Sequence, residues 1–502
     1  MKKWLSLFLT IVLIVCLTAC GAGSGTSKDK ELEVKEGTPS YADDKQIELA
    51  AYCGPRREGY RYWKGEYGKH PEDPAEGWEG WITREAFQDY LDCGFTYLFP
   101  EQDGAYDGSF KNGKYKEVSS FEKSDLYPYM ELAEEMNIPV VVYAARLVNL
   151  ASSTDSRISD DDKAFLNQMI EDLSQYKCFK GVTLRDEPSI KMAKATGAVV
   201  EYLNSLKPDM YYFTSCFPIY VNQVDVLTTE KTDNLEEAYQ DYIDAFSTAI
   251  GTFSYDGYPL IEDSVHAQTS VRAEWFQNLK ILAERAKKND FDAGITIQSH
   301  GFDLDSTFHY RPITSKADIA FQMYTSLAYG MKYVNYYTYW QHWIDDEVST
   351  AMINYPVKNG EEPVKTDAYY AVKDVNWEIK KFDHVFLNFD WEGTMSVVPE
   401  GKNISTALSY VGDYENSRIA SATATEEAII GCMKDQDGYD GYWIVNATDP
   451  GKQLSNSVTV EFKKASKAIA YIHGEEQEIT LKEGKYTFDM ASGDGVFVIP
   501  IV

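Results

Sequence analysis

The chain has 502 residues, 44 % hydrophobic and 25 % charged, with 79 acidic against 48 basic side chains and a net charge of −31. That length supports two or three domains around a large core, and the acidic surplus argues against nucleic acid or an anionic membrane surface as a partner. Aromatic residues make up 14 %, with 37 Tyr and 10 Trp, which suits a protein that stacks rings on flat apolar faces, sugars among them.

The chain opens with Lys2 and Lys3, an apolar run from Leu5 to Val15, and then Leu17-Thr18-Ala19-Cys20 before Gly21. This resembles the bacterial lipobox. The resemblance implies that residues 1–20 are a lipoprotein signal peptide and that the Cys20 thiol becomes diacylated. The apolar run is too short for a spanning helix. The expectation is therefore a body at the extracellular face of the cell membrane, held only through the lipid on Cys20. Residues 21–45, rich in Gly, Ser, Lys, Asp and Glu, read as a flexible tether. Of the other cysteines, Cys16 leaves with the signal. Cys53, Cys93, Cys178, Cys216 and Cys432 are scattered without ligand spacing, so neither a zinc site nor a disulfide framework is indicated.

From Gln46 onward, β-rich apolar runs alternate with helical patterns. The expected strands are Glu48 to Cys53, Thr96 to Phe99, Pro139 to Ala144, Gly181 to Leu184, Tyr211 to Ser215, Thr252 to Tyr255, Ala293 to Ile297 and Lys332 to Tyr337. Between them apolar residues recur at three- and four-residue spacing, as in Phe165-Met169-Ile170-Leu173, and Thr83, Ser189 and Ser315 stand where helix caps belong. Eight strand–helix units predict an α/β fold, a (β/α)8 TIM barrel over residues 46–390. The segment Gly54 to Trp81, rich in Tyr, Trp, Arg and Gly, is expected to hang over its mouth. After Asp390 the helical pattern stops. Ala428 to Met433, Tyr442 to Asn446, Ser457 to Phe462, Ala468 to Ile472 and Gly495 to Ile499 read as short strands between turns, predicting a small antiparallel β-sandwich over residues 391–502.

The run ending in Asp186-Glu187-Pro188 carries the most chemistry. Proline cannot continue a central strand, so the two acids are left at its carboxyl end, where barrel active sites are built. A plainer possibility is that Asp186 caps the next helix. The other strand ends supply Arg56 and Arg57, Glu101 and Asp103, Arg146 and Asn149, Asp256 and Tyr258, Gln298, Ser299 and His300, and finally Tyr339, Trp340, His342 and Trp343. Carboxyls for proton transfer, amides and Arg for hydroxyls, and indole faces for a ring are what a pyranose requires. Each member alone is weak. Trp340 suits core as well as platform, Asp256 sits in turn chemistry, and His300 reads as a hydrogen-bonded neutral imidazole, not a metal ligand.

Asp-Glu-Pro here is similar to the Asn-Glu-Pro of the clan of retaining (β/α)8 glycosidases that includes family-42 β-galactosidases. Ala328-Tyr329-Gly330 leading into Tyr336-Tyr337-Thr338-Tyr339-Trp340, and the ending Ser492-Gly493-Asp494-Gly495-Val496-Phe497-Val498, resemble that clan as well. The resemblance implies that Glu187 is the general acid/base. The clan's nucleophile, a Glu ending the seventh strand, is replaced here by Gln298-Ser299-His300. The second carboxylate is then Asp256, the favoured choice, or Asp186; adjacent Asp-Glu also looks like the pair of substrate-assisted hexosaminidases, in which the Asp orients the substrate's acetamido group. The expectation is a glycoside hydrolase acting on an oligosaccharide or polysaccharide at the cell surface. Its catalytic set is Glu187, Asp256 and Asp186, with Glu101, Arg146, Tyr258, Gln298, His300, Tyr339 and Trp340 binding carbohydrate, and without metal or cofactor. The alternative is a catalytically inactive glycan-binding lipoprotein on the same barrel.

Overall fold

The computed structural model describes residues 32–55, 82–100, 104–111, 114–221, 225–263, 265–266, 268–303, 308–341, 343–344, 347–348, 350–354 and 363–502. Cys20 and the signal region lie outside them, as does most of 54–81.

Seven parallel strands run through the first part: β1 (Glu48–Ala51), β2 (Val140–Val142), β3 (Phe179–Asp186), β4 (Tyr211–Ser215), β5 (Thr252–Gly257), β6 (Asp292–Gln298) and β7 (Tyr333–Tyr337). They form two parallel sheets, one in the order β1-β7-β6-β5 and one in the order β2-β3-β4. A parallel bridge between Cys216 and Tyr255 joins β4 to β5, with the Cys216 N–H donating to the Ser254 carbonyl. The segment expected as the second strand, Thr96 to Phe99, pairs through Leu98 alone, bridged to Val140. It still bonds to both neighbours: Thr96 N–H donates to Leu49 O (2.8 Å), and Leu98 N–H to Pro139 O (2.7 Å).

The β-branched and aromatic content of these runs suits strands with both faces covered. Ten α-helices accompany them among the described residues: α1 (Arg84–Asp92), α2 (Leu126–Met136), α3 (Ala145–Ala151), α4 (Asp160–Leu173), α5 (Ala193–Leu206), α6 (Leu235–Ile250), α7 (Glu274–Asn289), α8 (Lys316–Leu327), α9 (Asp367–Lys380) and the short α10 (Asp383–Phe386). Thr83 caps α1 by accepting from the Ala86 N–H, and Ser315 with Asp318 forms a capping box on α8. Ser189 instead precedes a short 3₁₀ turn and makes no cap bond. On α6, Tyr239, Tyr242, Ile243 and Phe246 occupy one buried face, each side chain worth roughly 1.5–3 kcal/mol of hydrophobic transfer. All five cysteines after Cys20 are buried, and no disulfide joins any two of them.

From Phe389 the strands are antiparallel: β8 (Phe389–Val397), β9 (Ile419–Ala424), β10 (Ala428–Asp435), β11 (Asp440–Asn446), β12 (Asn456–Phe462), β13 (Lys467–Ile472), β14 (Glu475–Thr480), β15 (Lys485–Met490) and β16 (Gly495–Ile501). Six make a sheet in the order β8-β10-β11-β16-β13-β14, and three make another, β9-β12-β15. Side chains alternate across a strand. Ile429, Met433, Trp443, Val445, Phe497 and Ile499 therefore join the core of the α/β part, while Ile430, Cys432, Tyr442, Ile444, Val496 and Val498 face a second core shared with β12 and β15. Helix α8 is buried from Ala317 to Leu327, and it touches β6 as well as β11 and β16. Residues expected as the end of the tether also lie on this part: the Tyr41 hydroxyl donates to Asp435 (2.7 Å), and Tyr439 donates to the Glu36 carbonyl (3.1 Å). Among the described residues no helix is long and apolar enough to cross a membrane.

Candidate active site

The carboxyl end of β3 is held in place from three directions. Glu187 N–H donates to the Ser215 carbonyl at the end of β4 (2.7 Å), and the Tyr242 hydroxyl of α6 donates to the Pro188 carbonyl (2.7 Å). Glu187 has φ +48°, the left-handed region that a non-glycine residue occupies at a cost of roughly 1–2 kcal/mol. Such a conformation persists where the surroundings over-determine it, and it is concentrated at functional sites. Asp186 caps no helix. Its carboxyl accepts from the Tyr52 hydroxyl just beyond β1 (3.3 Å), and α5 starts at Met192 without a side-chain cap.

Asp256 comes from β5. Its backbone N–H donates to the Cys216 carbonyl, and its carboxyl accepts from the Ser215 hydroxyl and from Tyr258. Ser215 is also 3.3 Å from the Thr296 hydroxyl on β6. Asp186, Glu187 and Asp256 are thus carried by two strands and repel one another. Burial among protein atoms pushes Glu187 up to about 7, with the Asp186 charge adding to it and Arg185 opposing. Burial likewise lifts Asp186 to about 6, against the Tyr52 hydrogen bond and Arg185. Asp256 is raised well above the usual carboxylate range too, through burial and then the fields of Asp186 and Glu187. Asp186 and Glu187 are nonetheless solvent-exposed, whereas Asp256 is 9 % exposed. The first two are crowded by protein atoms yet keep exposed surface, so their shifts mark acids poised near neutrality and not a store of stability.

An aromatic wall stands beside Asp256. Tyr258 meets His300 edge-on (5.0 Å between centroids) and Tyr310 edge-on (5.6 Å), and lies 5.9 Å from Tyr337. The His300 Nδ1 is 2.6 Å from the Tyr337 carbonyl, which only accepts, so the proton is on Nδ1. Tyr310 is hydrogen-bonded to Tyr220, and the Arg272 guanidinium stacks 4.1 Å from the Tyr220 ring.

The structure therefore brings together Asp186, Glu187, Asp256, Tyr258 and His300 of the residues expected from sequence. It sets others apart. Gln298 is fully buried: its amide oxygen accepts from the Leu260 N–H, and its NH2 group contacts the carbonyls of Leu260, His300 and Arg311. No amide position is left for a sugar. Arg146 sits on α3 and gives its guanidinium to Asp161 and Asp162 (2.7 and 2.8 Å), beside a lateral cavity lined by Asp107, Phe165 and Asp172. Tyr339 and Trp340 are buried, Tyr339 packing edge-on against Tyr90 (4.9 Å). Glu101, Asp103, Arg56, Arg57 and His342 lie outside the described residues. Sequence reading missed Tyr52, Ser215, Tyr220, Arg272 and Tyr310. Ser215 and Tyr52 carried a usable signal, since both sit at the ends of expected strands. Among the described residues no group of His, Cys, Asp or Glu is placed to hold a metal ion.

No protein-family model matches the chain, and no curated protein does. Solved structures similar to it include glycoside hydrolases. A GH27 β-L-arabinopyranosidase from Geobacillus stearothermophilus shares 9 % identity at a TM-score of 0.49, covering 92 % of this chain and 97 % of its own. An α-amylase from Anoxybacillus shares 11 % at 0.47, covering 91 % and 98 %. A family 5 glycoside hydrolase from Bacteroides vulgatus shares 10 % at 0.47, covering 93 % and 89 %.

Proposed function

We propose that this chain is a glycoside hydrolase that cleaves a β-linked oligosaccharide or polysaccharide at the outer face of the cell membrane, held there by a lipid on Cys20. The fold reading is a closed (β/α)8 barrel over residues 46–390 followed by a β-sandwich over 391–502. Its support is the run of parallel bonds from β1 through Thr96–Leu98 to β2, and on through β3 to β7 back to β1. The observation that carries the function is the gathering of three acids, Asp186, Glu187 and Asp256, at the carboxyl ends of β3 and β5, held by Tyr52, Ser215 and the β4 backbone.

Glu187 protonates the departing glycosidic oxygen, its pKa matched to neutral pH. Asp186, the lowest-titrating of the three, supplies the negative charge that answers the developing oxocarbenium ion or orients the attacking group. Asp256, buried and bonded by Ser215 and Tyr258, has its carboxyl pushed well up by burial and by the charges of Asp186 and Glu187, which favours its neutral form. This moves the second carboxylate from Asp256, favoured on sequence, to Asp186. The likeness of Asp186-Glu187-Pro188 to the family-42 β-galactosidase clan agrees with the role of Glu187 only, because the clan's seventh-strand Glu is absent.

Glu187→Gln is expected to lower reducing-sugar release from a glycan panel about 10²–10⁴-fold while binding persists. Unchanged release would refute the assignment. The engagement of Gln298 by backbone favours one second reading, a glycan-binding protein without turnover. Binding by the unaltered protein with no product from any glycan would establish it.

A further inference from the structure

We propose that Arg272 forms an oxyanion-binding subsite on the wall of this cleft, so that the preferred glycan carries a carboxylate or a sulfate ester. The inference rests on the glycan-cleft reading and adds the substrate class. Its starting point is charge. In a chain with 79 acidic residues, arginines find carboxylates easily. Arg84, Arg146, Arg157, Arg285 and Arg311 each have one, whereas Arg185, Arg272 and Arg418 have none among the described residues; of these three only Arg272 stacks on the aromatic wall beside Asp256. The buried Arg272 Nε has no hydrogen-bond partner among the described residues.

A guanidinium N–H sealed from water without an acceptor is unfavourable by roughly 1–3 kcal/mol, and stacking on Tyr220 and Tyr310 (4.1 and 5.7 Å) fixes its plane without satisfying its donors. The Arg272 N–H donates to the Pro259 carbonyl, which ties it to the turn just after Asp256. The arginine is one aromatic layer from the acids. Tyr220 and Tyr310, bonded to each other, feel both Arg272 and Asp256, and Tyr310 also feels Glu187. Its planar fork matches a carboxylate or sulfate, which accepts two parallel hydrogen bonds. The neighbouring acids do not cancel it, because their pKa values are raised and part of their charge is protonated away.

The test uses the full-length protein bearing Glu187→Gln, so that ligands bind without being consumed. Short β-linked oligosaccharides are titrated calorimetrically in matched neutral, uronate and O-sulfated forms. The expected result is binding of one acidic form about tenfold or more tighter than its neutral counterpart, with the advantage shrinking as salt is added. Whichever acidic form wins identifies the oxyanion. Adding Arg272→Gln should remove the advantage, bringing acidic and neutral forms to equal affinity. If that variant does not fold, Arg272→Lys, which keeps the charge and loses the fork, should reduce the advantage in part. Equal or tighter binding of neutral glycans, or an acidic preference that survives Arg272→Gln, overturns the subsite and leaves the hydrolase reading standing. Failure of every form to bind overturns both.

Discussion

Glu187 and Asp186 are neighbours in sequence whose surroundings set their pKa values about one unit apart, at about 7 and about 6. The proposed hydrolysis needs the first protonated and the second ionised. Activity is therefore expected to rise as pH passes upward through about 6, where Asp186 loses its proton, and to fall through about 7, where Glu187 loses its own. A kcat/KM profile should be a narrow bell, with limbs that belong to the coupled trio. Tyr52 tunes the lower limb, because its hydroxyl stabilises ionised Asp186. Tyr52→Phe should move the acidic limb upward and narrow the bell while leaving the alkaline limb in place; a profile identical to the parent's would remove Tyr52 from the site. Glu187, Asp256 and Tyr258 were legible because each directly follows an apolar β-rich run. Arg272 and Tyr310 were not, since a hairpin and a helix-leading turn fold them back to Asp256 by tertiary contact. Arg146 misled for the opposite reason: it follows a strand correctly, yet Asp161 and Asp162 lie within its reach.

All eight parallel strands were expected from their β-rich runs, and seven of them are strands in the structure. Thr96 to Phe99 has the same composition, but its ladder is limited to one bridge. Among the antiparallel strands, β14 was invisible: Glu475–Thr480 is almost wholly exposed and lies at the edge of its sheet, so it carries charge instead of an apolar alternation. β10 was visible as a continuous apolar run because both its faces are buried, in two different cores. At the end of β6, the bonding of Gln298 bears on whether a carboxylate could stand there. Its amide joins β6 to Leu260 and Arg311, and its backbone N–H donates to Gln322 of α8 (2.8 Å). In Gln298→Glu a carboxylate would face three carbonyl oxygens where an amide now donates. The expected outcome is destabilisation on the order of 3 kcal/mol in denaturant unfolding, with no gain in hydrolysis. A stable variant with higher turnover would show that the position tolerates a nucleophile.

The α/β part and the antiparallel strands are joined by a common core and by a charged cluster at its rim. Trp443 of β11 packs against Phe386 (5.4 Å) and Tyr324 (5.8 Å), and Gly431 of β10 runs so close to the end of α8 that an added Cβ would sit 2.2 Å from the Ala328 carbonyl oxygen. At the rim, Glu378 of α9 is 6 % exposed and accepts from Lys316, from Tyr324 (2.8 Å) and from His473 beyond β13 (3.0 Å), while Asp494 lies 3.8 Å from the other His473 nitrogen. Burial alone would raise the Glu378 pKa, but His473 and Lys316 outweigh it and hold the carboxyl at about 2. The same hydrogen bond, against partial burial, raises His473 above its usual 6.5. The signs follow from linkage. The Glu378 contribution is complete above its unfolded value of about 4.5 and is lost as pH falls toward 2. That of His473 is complete below 6.5 and is lost as pH rises through its elevated folded value. The junction is thus firmest between about 4.5 and 6.5. Because His473 is 56 % exposed, solvent screening limits its share to on the order of 0.5 kcal/mol. Calorimetric Tm measured against pH should decline on the alkaline side of this window, and His473→Gln should flatten that decline without altering the acid side. Glu378→Gln should lower Tm throughout the window, since Lys316 then loses its carboxylate and His473 keeps only the more distant Asp494. An alkaline slope that survives His473→Gln would place the pH sensitivity elsewhere in the molecule.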